Sequence, residues 1–481
     1  MHKEKTFKFS IVTAVYNVAE YIDTLIKSIV NQDIGFRENI ELILVDDGSS
    51  DKSGSLIDKW AAKYPENIIA IHKKNSGVSS ARNAGLKIAH GEILNFADGD
   101  DKFEKTAFRR VMDFFEHHGN ETDVAAIPII YFDLSHGNHL LNGKFSKGTR
   151  VVDLEAEPES IHIHANSSFI KREIALAQNF DEKMPFCEDS KFLIEAVLKR
   201  KKLGVICRTC YYYRRRYSSN NQSAVQSKAT NKIWYLPTVE MYYAKLIEKC
   251  LKEEGKVPKF LQNIFACDIM WREEEKIPPV EILGAPEAEK YYKALKNVLE
   301  YVDGEVIVSR REFPWRSKFD ILKLKYSASA RIVKNGDLFS IVYDDGLKIN
   351  LEELIKPNFE VCAFGAAGLK CKAIVFSDES LASLDTIVEI FSNGEWVKLA
   401  ENSQESKRYD LNIPYWKIFG KKKSISLRTC FTFGDFRYFT AEQNYSYKGA
   451  ILRYFEKKLK DAARFTLGLY KKSVANIQAL A

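Results

Sequence analysis

Apolar runs and helical stripes alternate along the first 130 or so residues. Phe7–Val15 (FKFSIVTAV) reads as a strand, and Tyr21–Gln32 sets Ile22, Leu25, Ile26, Ile29 and Val30 on one helical face. Ile40–Val45 is a second strand, followed by a helix near Ser53–Tyr64 with Asp51 or Ser53 as its cap. Ile68–His72 is a third strand, Gly77–His90 carries a helix after a loop, and Ile93–Ala97 is a fourth strand. Such alternation predicts βαβ units and a largely parallel sheet. Ligands bind such sheets beyond the carboxyl ends of the strands. Three chemistry-bearing stretches fall there: Thr13–Asn17, Asp46–Ser50 and Asp98–Asp101.

The pattern then changes twice. Asp123–Phe132 reads as a strand, and residues 162–173 (HIHANSSFIKRE) as a strand leading to a short helix. Glu188 and Asp189 open a helix whose apolar face includes Phe192, Leu193, Ala196 and Val197. Beyond residue 225, Asn231–Lys252, Pro258–Glu274 and Glu287–Tyr301 read as helices, the last with Pro286 as a start signal. From 315 to about 445 apolar and polar residues alternate, beginning with FDILKLKYSASARIV. Turn signals at Asn335-Gly336, Asp345-Gly346 and Asn393-Gly394 predict an antiparallel β-sandwich. Tyr447–Ala481 has helical spacing, with basic residues around Leu452, Phe455, Leu459 and Leu469. That helix suits either an anionic membrane surface or packing on the β domain. The expected divisions are 1–225, 226–314, 315–445 and 446–481.

Composition narrows the classes. A chain of 481 residues holds two or three domains, and 45% hydrophobic with 28% charged content is that of a globular protein. No run approaches a membrane span, and the N-terminus lacks an apolar signal core, so a cytoplasmic place is expected. The 8 cysteines are scattered and expected to be reduced; Cys207 and Cys210 form a lone CxxC inside an apparent strand. A net charge of +7 suits anionic substrates or membrane surfaces and selects neither. No basic-aromatic platform for nucleic acid stands out.

The densest chemistry is Asp98, Asp100 and Asp101 in ILNFADGDD. Adjacent carboxylates repel, and a hard cation such as Mn²⁺ or Mg²⁺ relieves that repulsion while bridging to phosphate. An acidic turn capping the helix near Lys105 is the other reading. In LVDDGSSD a carboxylate of Asp46 or Asp47 could meet a base or ribose beside a turn at Gly48; an Asx-turn with a helix cap is the alternative. In NSGVSSARNAG, Gly77 and Gly85 allow close backbone approach, and Arg82 could meet a phosphate or pair with an acidic loop. Glu188 and Asp189 suit a helix N-terminus. Arg214, Arg215 and Arg216 follow a tyrosine run, as a loop closing on a diphosphate or as a solvated basic face.

FSIVTAVYNVAEYI, ILVDDGSSDKS, NSGVSSARNAGL and FADGDD, in this order and spacing, resemble the successive signatures of family 2 glycosyltransferases of the GT-A fold over about residues 7–220. TAVYN lacks the proline, and FADGDD the FLDSDD form, of many relatives. The resemblance implies that Asp98 and Asp100 meet metal and donor diphosphate, and that Asp46 meets the base in a pocket walled by Thr13, Val15 and Tyr16. Asn17, Glu20, Asp47, Gly48, Asn75, Gly77, Ser80, Arg82, Gly99, Arg214 and Arg216 complete the expected donor site. Of the pair Glu188 and Asp189, it implies Asp189 as the base that deprotonates an acceptor hydroxyl. VPKFLQNIFACDIMW and YVDGEVIV resemble segments that follow the transferase domain in enzymes of capsule and teichoic-acid assembly. The expectation is an inverting, metal-assisted transfer of sugar from a nucleotide-diphosphate donor, a UDP-sugar first, to a cell-envelope glycan or lipid-linked acceptor. The rivals are a sugar-nucleotide nucleotidyltransferase and an inactive glycan-binding or scaffold protein.

Overall fold

A computed structural model describes residues 7–216, 228–275, 277–326, 331–335 and 338–350. It also describes strand segments 358–365, 368–374, 385–392, 395–402, 408–414, 424–433, 436–439 and 443–446. The chain forms two compact units, Met1–Phe313 and Pro314–Ala481.

The first unit is built on four parallel strands. β1 (Phe9–Val15), β2 (Ile40–Asp46), β3 (Ile68–His72) and β4 (Ile93–Asp98) pair in the order β3-β2-β1-β4. Helices α1 (Ile22–Val30), α2 (Phe36–Asn39), α3 (Ser53–Lys63) and α4 (Val78–Leu86) lie between them in sequence. β1 and β2 are buried nearly throughout, as parallel strands covered on both faces must be. The amphipathic stripe of α1 buries Ile22, Leu25, Ile26 and Ile29. α4 lies so close to β1 that a Cβ on Gly85 would stand 2.4 Å from Val12 Cγ1.

The sheet then turns mixed rather than largely parallel. The next elements are β5 (Lys102–Phe103), α5 (Ala107–His118), β6 (Val124–Ala126), β7 (Ile129–Asp133), β8 (Gly137–Asn138) and β9 (Arg150–Asp153). They are followed by β10 (Ser168–Lys171), α6 (Arg172–Leu176), α7 (Glu188–Leu198), β11 (Lys202–Val205) and β12 (Tyr211–Arg215). β10 pairs antiparallel with both β4 and β6, which extends the sheet to β3-β2-β1-β4-β10-β6-β11-β9. A smaller sheet runs β5-β12-β7-β8.

Several sequence expectations need correction. The strand expected over Asp123–Phe132 is two strands in different sheets, β6 and β7. Pro128, which lacks an N–H for a ladder, lies between them. Cys207 and Cys210 are free thiols in the connection between β11 and β12, not within a strand. The helix expected over Asn231–Lys252 is broken around Pro237 into 3₁₀ turns, a π-helical stretch at Val239–Ala244 and an α-helix at Lys245–Glu254. Helices Lys259–Glu273 and Ala285–Leu299 form close to their expected bounds. All of these belong to the first compact unit.

The second unit opens with helix Trp315–Tyr326 where alternation predicts a strand. Ile321 and Leu322 are both buried, which a half-buried strand of period two does not permit. Its described strands pair antiparallel in three sheets. The Asp345-Gly346 turn has Gly346 at φ +89°. The expected terminal helix Tyr447–Ala481 lies outside the described residues. No described helix is long and apolar enough to cross a membrane.

Phe9 anchors the first unit's core. Its ring meets Phe108 edge-on at 5.1 Å and Phe169 at 6.1 Å, joining the parallel strands to α5 and β10. Phe9→Ala is expected to lower unfolding stability by about 3–5 kcal/mol. Urea unfolding followed by far-UV circular dichroism checks this; an unchanged midpoint would remove Phe9 from that role.

Candidate active site

The strand register brings three loops together. Val15 pairs with Asp46 and Ala14 with Asp98, so β1, β2 and β4 end side by side. Thr13 and Val15 are fully buried at these ends, whereas Tyr16 is 50% exposed, and none of the three lines the depression beside them. Asn17, in the left-handed region, accepts from the Ser50 N–H at 2.8 Å and donates its own N–H to Ser49 Oγ. That couples the loops after β1 and β2. Asn17, Glu20, Tyr21, Ser50, Asp51 and Lys52 line an open depression of about 660 Å³.

The two adjacent aspartates of β2 diverge. Asp46 accepts from the Ser49 N–H at 2.9 Å and meets His72 Nδ1 at 3.1 Å, while His72 Nε2 meets Asp58 at 2.8 Å. Burial works to raise the Asp46 carboxyl, but Ser49 and His72 hold it below its usual range. The hydrogen bonds to Asp58 and Asp46 raise His72 in turn. Asp47 instead accepts from Lys73 Nζ at 2.5 Å and from the N–H groups of Ser76 and Gly77 at 3.0 and 2.8 Å. It ties down the loop that starts α4. Gly48 sits at φ +76°, and a Cβ there would stand 2.9 Å from the Asn75 nitrogen. Gly77 and the half-buried Ser80 belong to the start of α4.

Asp98, Asp100 and Asp101 share the tip of β4 but have different partners. Asp98 accepts from Arg82 Nη2 at 3.0 Å and from Asn166 Nδ2 at 2.9 Å, with 34% of its side chain still exposed. Asp100 is paired to Arg216 Nε at 2.6 Å. Asp101 is buried and accepts from the Arg214 backbone N–H at 2.7 Å. Burial, with Asp98 nearby, raises Asp100 against the pull of Arg216. Burial and its two acidic neighbours hold Asp101 well above the usual carboxylate range. Gly99 packs on Val18, where a Cβ would come within 3.0 Å. Arg214 spans Asp100 and Asp133, donating to the Asp100 carbonyl and the Asp133 carboxylate at 2.7 Å each.

The acid pair of α7 is tied to the same strand tip. Arg82, 5% exposed on α4, donates through Nη1 to Glu188 at 2.8 Å and through Nη2 to Asp98. One guanidinium therefore joins the acidic strand tip to the helix carrying Asp189. Cys187, at φ +61°, turns the chain sharply just before this helix. Burial, then the charge of Asp189, raises Glu188 to about 7 against the pull of Arg82. Burial likewise raises Asp189, with Arg82 opposing and Asp98 adding. Ser190 Oγ contacts Tyr242 Oη at 2.5 Å, so the π-helical stretch buttresses the start of α7.

Two asparagines and a short turn were not singled out from the sequence. The 3₁₀ turn Ala165–Ser167 lies against both elements: Asn166 holds Asp98, and the turn packs on α7 beside Asp189. Asn95, buried in β4, donates to the carbonyls of Asn166 and Ser168 at 2.8 Å each. An amide inside the apolar run ILNFA is a signal that could have found it.

The donor set suits a hard divalent cation. Asp98 and Asp100 offer carboxylate oxygens, the ligand type such ions prefer, and each is paired with an arginine, Arg82 and Arg216 respectively. Among the described residues no group of three or more His, Cys, Asp or Glu is disposed to hold a metal. A cation at this pair would complete its shell with phosphate oxygens or water.

Comparison with known proteins identifies the family and the fold. The family model "Glycosyl transferase family 2" matches residues 10–177. The minor teichoic acid biosynthesis protein GgaB of Bacillus subtilis is 35% identical over 78% of this chain, which spans 43% of GgaB's length. TarS of Staphylococcus aureus, solved by crystallography, has a TM-score of 0.55 at 18% identity, covering 92% of this chain and 77% of that one. A UDP-GlcNAc complex of TarS 1-349 gives 0.51 at 19% identity, covering 72% and 99%. These likenesses show the GT-A fold. The minor teichoic acid biosynthesis protein GgaA of Bacillus subtilis is 32% identical over 69% of this chain and 75% of its own length. This chain belongs to glycosyl transferase family 2.

Proposed function

We propose that this chain is an inverting glycosyltransferase. It moves a sugar from a UDP-sugar to a hydroxyl of a cell-envelope polymer or its lipid-linked precursor. The observation that supports this most is the Arg82 bridge, which joins Asp98 to the helix that opens with Glu188 and Asp189. Names among the relatives support the polymer class: GgaA and GgaB are minor teichoic acid biosynthesis proteins, and TarS is a poly(ribitol-phosphate) β-N-acetylglucosaminyltransferase.

In this reading the depression between the loops after β1 and β2 receives the nucleotide, with Asp46 toward its base. Asp98 and Asp100 would hold Mn²⁺ or Mg²⁺, which supplies positive charge to the departing diphosphate. Arg82 keeps Asp98 and Glu188 at fixed separation from Asp189. Asp189 takes the acceptor's proton as its oxygen attacks the anomeric carbon from the face opposite the leaving group. One such displacement inverts that carbon. A raised carboxyl pKa strengthens Asp189 as a base while leaving it ionised above that pKa. The reading carries with it a cytoplasmic place at the inner membrane face and peripheral contact through the basic tail.

Asp189→Asn is expected to cut transfer by about 10²–10⁴-fold with nucleotide-sugar binding nearly unchanged. Initial rates and a thermal-shift titration check this, and full activity would rule out the base. The acid pair also sets a pH dependence. Both carboxyls are raised, so activity falls as pH drops through their shared titration, above the ordinary carboxylate range. Glu188→Gln removes a neighbouring negative charge and is expected to move this acid limb to lower pH in a kcat/KM profile. A limb that stays or rises contradicts the coupling. Chelation is expected to abolish transfer, and Mn²⁺ or Mg²⁺ to restore it; undiminished turnover in excess chelator would remove the metal role.

A further inference from the structure

Arg214, Arg215 and Arg216 lie at the carboxyl end of β12, and two of them are neutralised. Arg214 pairs with Asp133 and Arg216 with Asp100. Arg215 has no carboxylate partner among the described residues. Its guanidinium instead lies over the Tyr131 ring at 4.5 Å and flanks Tyr213 at 5.8 Å. An aromatic face holds a guanidinium in place without cancelling its charge.

A row of rings continues from this cation. Tyr131 meets His139 at 5.7 Å, His139 meets His164 at 4.6 Å, and His139 meets Trp271 at 6.1 Å. Tyr131, His164, Arg215 and Trp271 are all partly exposed. The hydrogen bonds fix the imidazole tautomers. Leu141 N–H donates to His139 Nδ1 at 3.1 Å, so the His139 proton sits on Nε2 and is donated to His164 Nε2 at 3.2 Å. The His164 proton is then on Nδ1, a donor with no partner among the described residues. Burial, with Lys144 and Arg215 nearby, lowers His139 to about 4, and burial also lowers His164, so both stay neutral at pH 7.

This row borders the candidate base. His164 directly precedes the Ala165–Ser167 turn, which packs on the helix that carries Asp189. The ring face can stack on a polyol or sugar, the His164 N–H can donate to its oxygens, and Arg215 can pair with a phosphate by two parallel hydrogen bonds. A neutral glycan would leave the Arg215 charge unanswered.

We propose that Arg215, Tyr131, His164 and Trp271 form an acceptor subsite for a hydroxyl-rich chain joined by phosphodiesters. The subsite presents that chain to Asp189 from the side away from the Arg214 and Arg216 pairs. The assignment rests on the glycosyl-transfer reading for its role but not for its binding.

The test is binding of the full chain to poly(ribitol phosphate), measured without donor by biolayer interferometry, with UDP-sugar binding measured on the same samples. Arg215→Ala is expected to weaken polymer binding at least tenfold and flatten its salt dependence, with UDP-sugar binding unchanged. Arg215→Lys, which keeps the charge but loses the two-pronged geometry, is expected to recover part of the affinity. Tyr131→Leu is expected to weaken binding through loss of the ring. Equal affinity of wild type and Arg215→Ala would overturn the inference, as would binding only to phosphatidylglycerol vesicles or to neutral glycan. Loss of UDP-sugar binding by the wild type would strike the transferase reading instead, which separates the two failures.

Discussion

The buried Arg82 guanidinium is the interaction on which the candidate site depends. It stands between a carboxylate at the tip of a parallel strand and one at the start of a helix 106 residues beyond Arg82 itself. Two acids this close repel, and burial makes each charge harder to sustain. A fixed cation makes the arrangement tolerable. Its own burial would be costly if either acid were removed, at about 3–5 kcal/mol for a broken buried pair. Arg82 also rests over the Phe180 ring at 5.3 Å, so its position is set by packing as well as by charge.

Around that bridge the fold adds a second set of constraints through neutral amides. Asn95 reaches out of the core strand to clamp the turn at Ala165–Ser167, and that turn holds Asp98 through Asn166. Hydrogen-bond donors orient a carboxylate without adding charge, which leaves room for the charge changes of catalysis. The helical segment after residue 228 contributes from behind, through Tyr242 on Ser190. It therefore belongs to the apparatus that holds the acid pair, as well as to the same compact unit.

The tyrosine–arginine run illustrates how strand geometry separates roles that look alike in sequence. Alternation along β12 sends Arg214 and Arg216 toward the acidic tip and Tyr213 and Arg215 toward Tyr131. Read as a list, three arginines suggest one basic loop on a diphosphate. In the fold, two are committed to aspartates and the third faces a ring-lined surface.

Local sequence determined the parallel strands and their helices, because each strand is a short buried apolar run and α1 has an unbroken apolar stripe. It also singled out the acidic tips, since three clustered carboxylates after a buried strand have few structural uses. Where local signals conflicted, the fold decided. The strand after Asp123 split at a proline, the run at 315–326 became a helix because neighbouring apolar residues are buried together, and Asp47 turned to cap a loop. The pairing of Arg82 with Glu188, the clamp from Asn95 to the turn, and the isolation of Arg215 join residues far apart in the chain. No spacing rule encodes such contacts, because they arise only when β10 inserts antiparallel beside β4 and brings the later half of the chain against the first.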